Sequence, residues 1–330
     1  MGERPSAERL AAEDLAAAVR AGDRTAIGRA LTLVESRLPG HQEQARELLA
    51  LLAAANAGAA LRVGVSGPPG AGKSTLIEAL GGHLLEAGHR VAVLAVDPSS
   101  AVTGGSILGD KTRMARLALD PRAFVRPSPS AGALGGVTAR TREAMRVLEA
   151  AGHDVVLVET VGVGQSETVV ATMVDCFVVV LAPGGGDELQ GIKRGILELA
   201  NLVVINKADG EGRGPAERAR RDFSAAVRLL HGGGAAAPPV LAASALTGEG
   251  VPELWAAVQD RCRRAAARQV GTGRRAFGGW SEVDRELGEL AREDPALAPL
   301  LAELEARMAA GEASPAQAAA SLLAALRRGG

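Results

Sequence analysis

The sequence feature that most constrains the fold is a glycine-rich run, Gly67-Pro-Pro-Gly-Ala-Gly-Lys-Ser74, which fits the P-loop pattern GxxxxGK(S/T). A strand-like apolar run, 61–66, precedes it, and a helical pattern, 73–86, follows it. Glycines let backbone N–H groups surround phosphate oxygens, and the helix start adds the positive end of its dipole. We therefore predict a phosphate-binding loop rather than an ordinary turn. Its predicted binding residues are Gly67, Pro68, Pro69, Gly70, Ala71, Gly72, Lys73, Ser74 and Thr75.

Around this loop, short apolar runs alternate with helical stretches. The pattern predicts an α/β fold with a doubly wound, mostly parallel sheet and ligand loops at the carboxyl ends of its strands. The predicted strands are 61–66, 90–96, 154–159, 175–182, 201–205 and 240–243. The stretches 73–86 and 135–150 are long enough to be crossover helices, whereas 208–218 and 232–239 are loop-like.

The periodicity divides the chain into three predicted parts. Residues 1–58 form an N-terminal helical extension, residues 59–262 the nucleotide-binding domain, and residues 263–330 a C-terminal helical arm. Asp23 is placed to cap the second N-terminal helix, and Gly40 to end it. The helical segments predicted for the arm are Trp280–Leu290, Leu297–Met308 and 315–326.

The base of the nucleotide is predicted from two segments far beyond the P-loop. Asn206-Lys-Ala-Asp209 follows a buried strand, where the base lies in this type of fold. A carboxylate at Asp209 accepts from both N1–H and the exocyclic amine of guanine, whereas adenine places a lone pair there. Each unsatisfied buried group costs about 1–3 kcal/mol, so discrimination is strong. The predicted contacts to GTP or GDP are Asn206, Lys207, Asp209, Ser244, Ala245 and Leu246, with a backbone N–H of the last three meeting guanine O6.

Three acidic residues are candidates for metal binding and hydrolysis. Asp97 and Glu159 close predicted strands, and Asp110 lies between them in the sequence. Mg²⁺ prefers hard oxygen ligands and keeps several waters, so a few carboxylates and phosphates suffice. We predict that Ser74, Asp97, Asp110 and Glu159 hold Mg²⁺ and that Lys73 and the three acids serve catalysis, their individual roles left open. The N–H of Gly162 can sense the γ-phosphate, and since no glutamine follows it directly, we expect slow hydrolysis.

Composition excludes several classes of partner. The formal net charge is -1 and no basic block is present, so we expect no nucleic acid partner. Neither an apolar run of about 18 residues nor a signal-peptide pattern is visible. Cys176 and Cys262 lie far apart in the sequence and show no metal-type spacing, so we expect a cytoplasmic protein without a membrane partner. The glycine loop 183–190, which follows the predicted strand 175–182, is either a simple strand–helix connection or a mobile switch; both interpretations stay open.

Several segments together resemble the MeaB/ArgK family of G proteins, whose mitochondrial relatives serve methylmalonyl-CoA mutase. The segments that carry the resemblance are Ser66–Thr75, Val96–Ser100, Gly105–Met114, Glu159–Glu167 and Pro183–Lys193. The resemblance implies a P-loop NTPase fold of the G3E/SIMIBI type and a homodimeric GTPase chaperone of an adenosylcobalamin-dependent acyl-CoA mutase. It also implies that Lys73 and Ser74 bind phosphate and Mg²⁺, and that the helices after residue 262 form a dimer arm.

Two other functions fit a P-loop. A metal-delivery GTPase predicts a His-rich tract or a Cys/His cluster, and the sequence offers 5 scattered histidines and 2 cysteines. A kinase built on the same loop predicts indifference to guanine, which Asp209 argues against. The mutase chaperone is therefore our first hypothesis and metal delivery the second.

Overall fold

The computed structural model describes residues 12–36, 38–53, 60–97, 114–129, 134–160, 166–184, 194–232, 237–272, 297–310 and 312–329. The chain falls into two compact units, Met1–Arg263 and Arg264–Gly330. In the described part of the chain, no helix combines the length and the apolar character that a membrane crossing requires.

Parallel strands form a 7-stranded sheet in the described part of the larger unit, in the spatial order β3-β2-β4-β1-β5-β6-β7. The strands are β1 Leu61–Ser66, β2 Val91–Asp97, β3 Ala123–Pro129, β4 Val155–Thr160, β5 Cys176–Leu181, β6 Leu202–Ile205 and β7 Val240–Ala242. The six predicted strands are confirmed with ends shifted by no more than one residue. Because β1 lies between β4 and β5, the loop that follows it emerges at the middle of the carboxyl edge.

Strand β3 is not predicted from the sequence, because Pro127 and Pro129 argue against a strand. Among the described strands it lies at the edge of the sheet and pairs only with β2. The N–H of Val91 donates to the carbonyl of Arg122 (3.1 Å). Alternation along the ladder then points the nitrogens of both prolines away from β2. The prolines therefore cost no ladder hydrogen bond, and they remove N–H groups from the open edge of the sheet.

Helices cover both faces of the sheet. Those of the larger unit are α1 Ala12–Arg20, α2 Arg24–Glu35, α3 Pro39–Ala53, α4 Lys73–Glu86, α5 Ala115–Leu119, α6 Leu134–Ala150, α7 Ser166–Ala171, α8 Arg194–Leu199 and α9 Arg213–Leu230. Helix α10, Val251–Thr272, begins in the larger unit. On one face, Ile27 and Leu31 of α2 share a buried cluster with Leu94 of β2. On the other, Leu76 of α4 packs in a cluster with Val63 of β1. The N-terminal helices thus complete the core of the sheet.

Two local predictions near helix ends are wrong. Gly40 does not end α2, which stops at Glu35; it lies in the first turn of α3. The stretch 208–218 is not a loop throughout, since α9 begins at Arg213. Pro215 stands in the first turn of that helix, where its missing N–H costs nothing. The predicted cap is confirmed, because the Asp23 carboxylate accepts from the N–H of Ala26 (2.6 Å).

The smaller unit contains helices α11 Ala298–Ala309 and α12 Pro315–Gly329. The predicted stripe of the first helix is present in part: Leu297 and Leu304 are buried. The predicted segment Trp280–Leu290 lies outside the described residues.

Candidate functional site

The P-loop passes so close to neighbouring atoms of the protein that glycine is required at two of its positions. Gly67 has a φ of +145°, and a Cβ there would lie 2.0 Å from the carbonyl oxygen of Val180 in β5. Gly72 has a φ of +85°, and a Cβ there would lie 2.5 Å from the side-chain nitrogen of Asn206. Side chains at these positions would push the loop away from β5 and from Asn206.

Lys73 is the first residue of α4, and its side chain folds back over the loop. The ammonium donates to the carbonyls of Gly67 (2.9 Å) and Pro68 (3.1 Å). The residue is only 8% exposed. A buried cation above a ring of backbone amides and at a helix N-terminus makes a strongly anion-attracting site. Phosphate oxygens are the ligands that such a site fits.

The next residue along α4 meets the end of β4. The hydroxyl of Ser74 donates to Oε1 of Glu159 (2.7 Å). The glutamate is 7% exposed, and the charge of its carboxylate is therefore placed in a poorly hydrated part of the site. Two hard oxygen donors next to a phosphate-binding loop fit Mg²⁺, which takes carboxylate, hydroxyl, phosphate and water oxygens.

The other predicted metal ligands are described in part. Asp97 ends β2, and the register of β2 and β4 pairs its neighbour Val96 with Thr160, so Asp97 and Glu159 come from adjacent strand ends. The side chain of Asp97, and the whole of Asp110 and Gly162, lie outside the described residues. The roles predicted for these residues stay predictions.

One buried contact at this edge is not predicted from the sequence. Thr160 Oγ1 donates to Ser66 Oγ (2.7 Å), and both residues are 0% exposed. Ser66 is the last residue of β1 and Thr160 the last of β4. The sequence signal is a hydroxyl residue at the end of each strand, but nothing in the sequence pairs the two.

Asn206 joins the phosphate side of the site to the base side. Its amide nitrogen donates to the carbonyls of Ala71 (2.9 Å) and Gly72 (3.3 Å). Its amide oxygen accepts from the N–H of Ala245 (3.0 Å). Asn206 is 1% exposed, so both contacts are protected from water. The residue thus ties the P-loop to the loop after β7, a role that the motif alone does not reveal.

The two predicted base-binding segments meet through Asp209. The hydroxyl of Ser244 donates to Oδ1 of Asp209 (2.6 Å) and accepts from the N–H of Thr247 (3.1 Å). Ser244 is fully buried, whereas Asp209 is partly accessible. This contact orients the carboxylate and leaves it open to a ligand.

Two further predicted base contacts, Lys207 and Leu246, belong to the same two segments as Asp209 and Ser244. Lys207 is exposed and has a φ of 59°, a left-handed conformation that a non-glycine residue adopts rarely. Leu246 is 80% exposed. A left-handed backbone at a non-glycine residue is found most often at functional sites, which fits the predicted role of Lys207.

Comparisons with known proteins place the chain in a family. A family model described as Methylmalonyl Co-A mutase-associated GTPase MeaB matches residues 27–287. The chain belongs to this family. The resemblance inferred from the P-loop, the strand-end acids and the glycine loop is confirmed.

Individual proteins that are similar to this MeaB-family chain support the same assignment. A probable GTPase of Mycobacterium tuberculosis (strain ATCC 25618 / H37Rv) is 54% identical in an alignment 322 positions long that covers 94% of this chain and 94% of that protein. The mitochondrial methylmalonic aciduria type A homolog of Mus musculus is 45% identical over 324 residues, covering 93% of this chain and 77% of that protein. A crystal structure of an LAO/AO transport system kinase is similar with a TM-score of 0.67 and 35% identity, covering 97% of this chain and 98% of that one.

Membership in the MeaB family establishes the class of chemistry. The chain is a P-loop GTPase with a parallel α/β sheet, and it binds a guanine nucleotide. Within the described residues, the structure brings together Lys73, Ser74 and Glu159 on the phosphate side and Asn206, Asp209 and Ser244 on the base side.

Proposed function

We propose that this MeaB-family GTPase binds GTP with Mg²⁺, hydrolyses it slowly, and thereby regulates, loads or protects an adenosylcobalamin-dependent acyl-CoA mutase. The observation that carries the proposal is the match of residues 27–287 to a family described as methylmalonyl-CoA mutase-associated. The relative in Mus musculus is named for methylmalonic aciduria, which supports the same class of partner.

The site supplies the positioning and charge that phosphoryl transfer requires. The ammonium of Lys73 and the amides of the P-loop neutralise phosphate charge, and Asp209 fixes the purine, so that the γ-phosphate is held at one place. Ser74, Glu159, Asp97 and Asp110 would hold Mg²⁺. The ion, when bound, neutralises charge on the phosphate oxygens.

Slow intrinsic turnover is part of the proposal. Hydrolysis of a nucleoside triphosphate is accelerated by a residue that orients the attacking water. The sequence offers no glutamine directly after Gly162; Gln165 stands three residues further on. A partner that completes or closes the site would then stimulate hydrolysis.

The decisive experiment measures GTP hydrolysis by the purified chain with and without each cobalamin-dependent mutase of the host organism. We expect one mutase to copurify with the chain and to raise kcat severalfold. A cobalamin-independent acyl-CoA enzyme of similar size is the matched control and should leave kcat unchanged. Hydrolysis that no mutase alters, with none retained by the chain, would reject the partner and favour the metal-delivery hypothesis.

We also propose that the chain is a homodimer and that residues 263–330 form the arm between protomers. The arm carries helices with buried leucines, such as Leu297 and Leu304. Light scattering after size exclusion tests the stoichiometry directly. A mass equal to twice that of the chain is expected, and removal of residues 273–330 should return a monomer. A monomeric full-length chain would contradict this part of the proposal.

A further inference from the structure

The last two residues of β4 point to opposite faces of the sheet. Val155 and Leu157 belong to the buried cluster that contains α4, whereas Val156 and Val158 belong to the cluster on the other face. Side chains alternate along a strand, so Glu159 faces α4 and Thr160 faces away from it. The hydrogen bonds of the two residues agree with this alternation.

Each of these side chains reaches one end of the P-loop. On the α4 face, Glu159 accepts from Ser74, which directly follows Lys73 (2.7 Å). On the opposite face, Thr160 donates to Ser66, which directly precedes Gly67 (2.7 Å). The carboxyl end of β4 therefore contacts both ends of the P-loop. Thr160 contacts the residue before the loop from one face of the sheet, and Glu159 contacts the residue after Lys73 from the other face.

The hydroxyl pair is not needed to fill the core. Ser66 and Thr160 are fully buried at the ends of β1 and β4, and the residues two positions before them on the same face are Gly64 and Val158. Replacing both members of a buried hydrogen bond by apolar groups of the same shape is close to neutral for stability. What an apolar pair would lack is direction, since a hydrogen bond fixes the distance and angle between the two strand ends.

We propose that Ser66 and Thr160 are positioning residues for the metal-side carboxylate. Their hydrogen bond fixes the end of β4 against the P-loop, so that the carboxylate of Glu159 stays beside the hydroxyl of Ser74. The inference rests on the proposed Mg²⁺ site. Neighbours of a metal ligand that orient it typically change metal affinity by about 10–100-fold when they are replaced.

The test measures how strongly Mg²⁺ tightens the binding of GDP, a property that does not require turnover. A fluorescent GDP analogue is titrated in MgCl₂ and again in EDTA. The dissociation constant in EDTA divided by that in MgCl₂ gives a ratio, which is compared between variants. We expect Thr160→Val to reduce this ratio by about tenfold. Ser66→Ala should reduce it similarly, and Thr160→Ser, which keeps the hydroxyl, should restore most of it.

A matched control separates positioning from loss of stability. Val158→Ala removes core volume from the same face of β4, two residues before Thr160, and should leave the ratio unchanged. If Thr160→Val is poorly folded, the Ser66→Ala/Thr160→Val double variant removes both hydroxyls together and tests the same ratio. An unchanged ratio in these variants, or an equal change in Val158→Ala, overturns the inference. If Mg²⁺ does not tighten GDP binding to the unaltered chain, the Mg²⁺ site itself is wrong.

Discussion

The two edges of the sheet use acidic and amide side chains in different ways. At the amino edge, the residue just before a strand accepts a backbone N–H at the start of a neighbouring strand. The pairs are Asp154 with Arg90 N–H, Asp175 with Arg62 N–H and Asn201 with Phe177 N–H, each at 2.8 Å. These side chains satisfy donors where the ladder begins, so they serve the fold.

At the carboxyl edge, the corresponding side chains join loops instead of strand ends. Glu159 meets Ser74 on the P-loop helix, Asn206 links the P-loop to the loop after β7, and Asp209 accepts from Ser244 of that loop. Ligands of parallel α/β sheets bind at this edge. A carboxylate that precedes a strand is thus structural here, whereas one that follows a strand belongs to the candidate site. Substitutions at the two edges should therefore separate nucleotide binding from stability.

Among substitutions at the carboxyl edge, Lys73→Ala is expected to have the largest effect on GTP hydrolysis. The variant removes the buried cation that lies over the P-loop, and removal of one such electrostatic group costs about 10²–10³-fold in kcat. Steady-state GTP hydrolysis measures the loss, and urea unfolding should show a change of only about 1 kcal/mol, the value of an ordinary hydrogen bond. Hydrolysis within a factor of two of the unaltered chain would remove Lys73 from the catalytic residues.

Asp209→Asn sharpens the comparison on the base side. The amide keeps one acceptor oxygen but presents an NH₂ donor in place of the other, so one of the two guanine donors, N1–H or the amine, is left unsatisfied, which corresponds to about a 10–100-fold loss in GDP affinity. Xanthosine diphosphate, which has an oxygen in place of the amine, should bind better to the variant. Competition titrations with both nucleotides measure the preference. Asp222→Asn, the same change at an exposed position of α9, is the control. Unchanged discrimination would refute the account of base selection.

At the amino edge, Glu149→Gln should lower the stability of the fold and leave nucleotide binding unchanged. The Glu149 carboxylate accepts from Arg62 at 2.6 and 3.0 Å and is 9% exposed, so the pair is largely shielded from water. Replacing it by an amide weakens a charge-assisted contact, and we expect a loss of about 2 kcal/mol in the free energy of unfolding. Urea denaturation measures this loss, while GDP affinity should stay the same. A loss of GDP affinity without a loss of stability would break the separation between the two edges.

How much of this could be predicted from the sequence depends on whether the signal is local. The P-loop and the strands of the sheet interior are encoded in contiguous patterns, and these predictions hold. The pairing of Thr160 with Ser66, and the bridge from Asn206 to Ala245, depend on which strands become neighbours. No single segment of the sequence determines the spatial order of the strands. Strand β3 is not recognisable in the sequence, because Pro127 argues against a strand. Its position at the edge of the sheet, where proline is tolerated, is known only from the folded structure.

The smallest predicted effect concerns His153, which precedes Asp154 at the amino edge. Burial lowers the pKa of its imidazole, and the nearby Arg90 and Arg24 lower it further, against the opposing effects of the Leu148 carbonyl and Asp154. The unfolded chain takes up this proton below the ordinary pKa of about 6.5, whereas the folded chain resists it. Stability should therefore fall as the pH drops below that value, by roughly 1 kcal/mol between pH 7.5 and 5.5.

Urea unfolding at several pH values measures this slope. The His153→Gln variant keeps an amide N–H that can donate to the carbonyl of Leu148, the partner of His153 Nδ1 at 3.0 Å, but it cannot titrate. The variant should show a shallower dependence of stability on pH in this range, with GDP affinity unchanged because the amino edge lies opposite the site. Equal slopes in both proteins would show that His153 is not the group responsible. A parallel loss of GDP affinity would show that the two edges of the sheet are coupled.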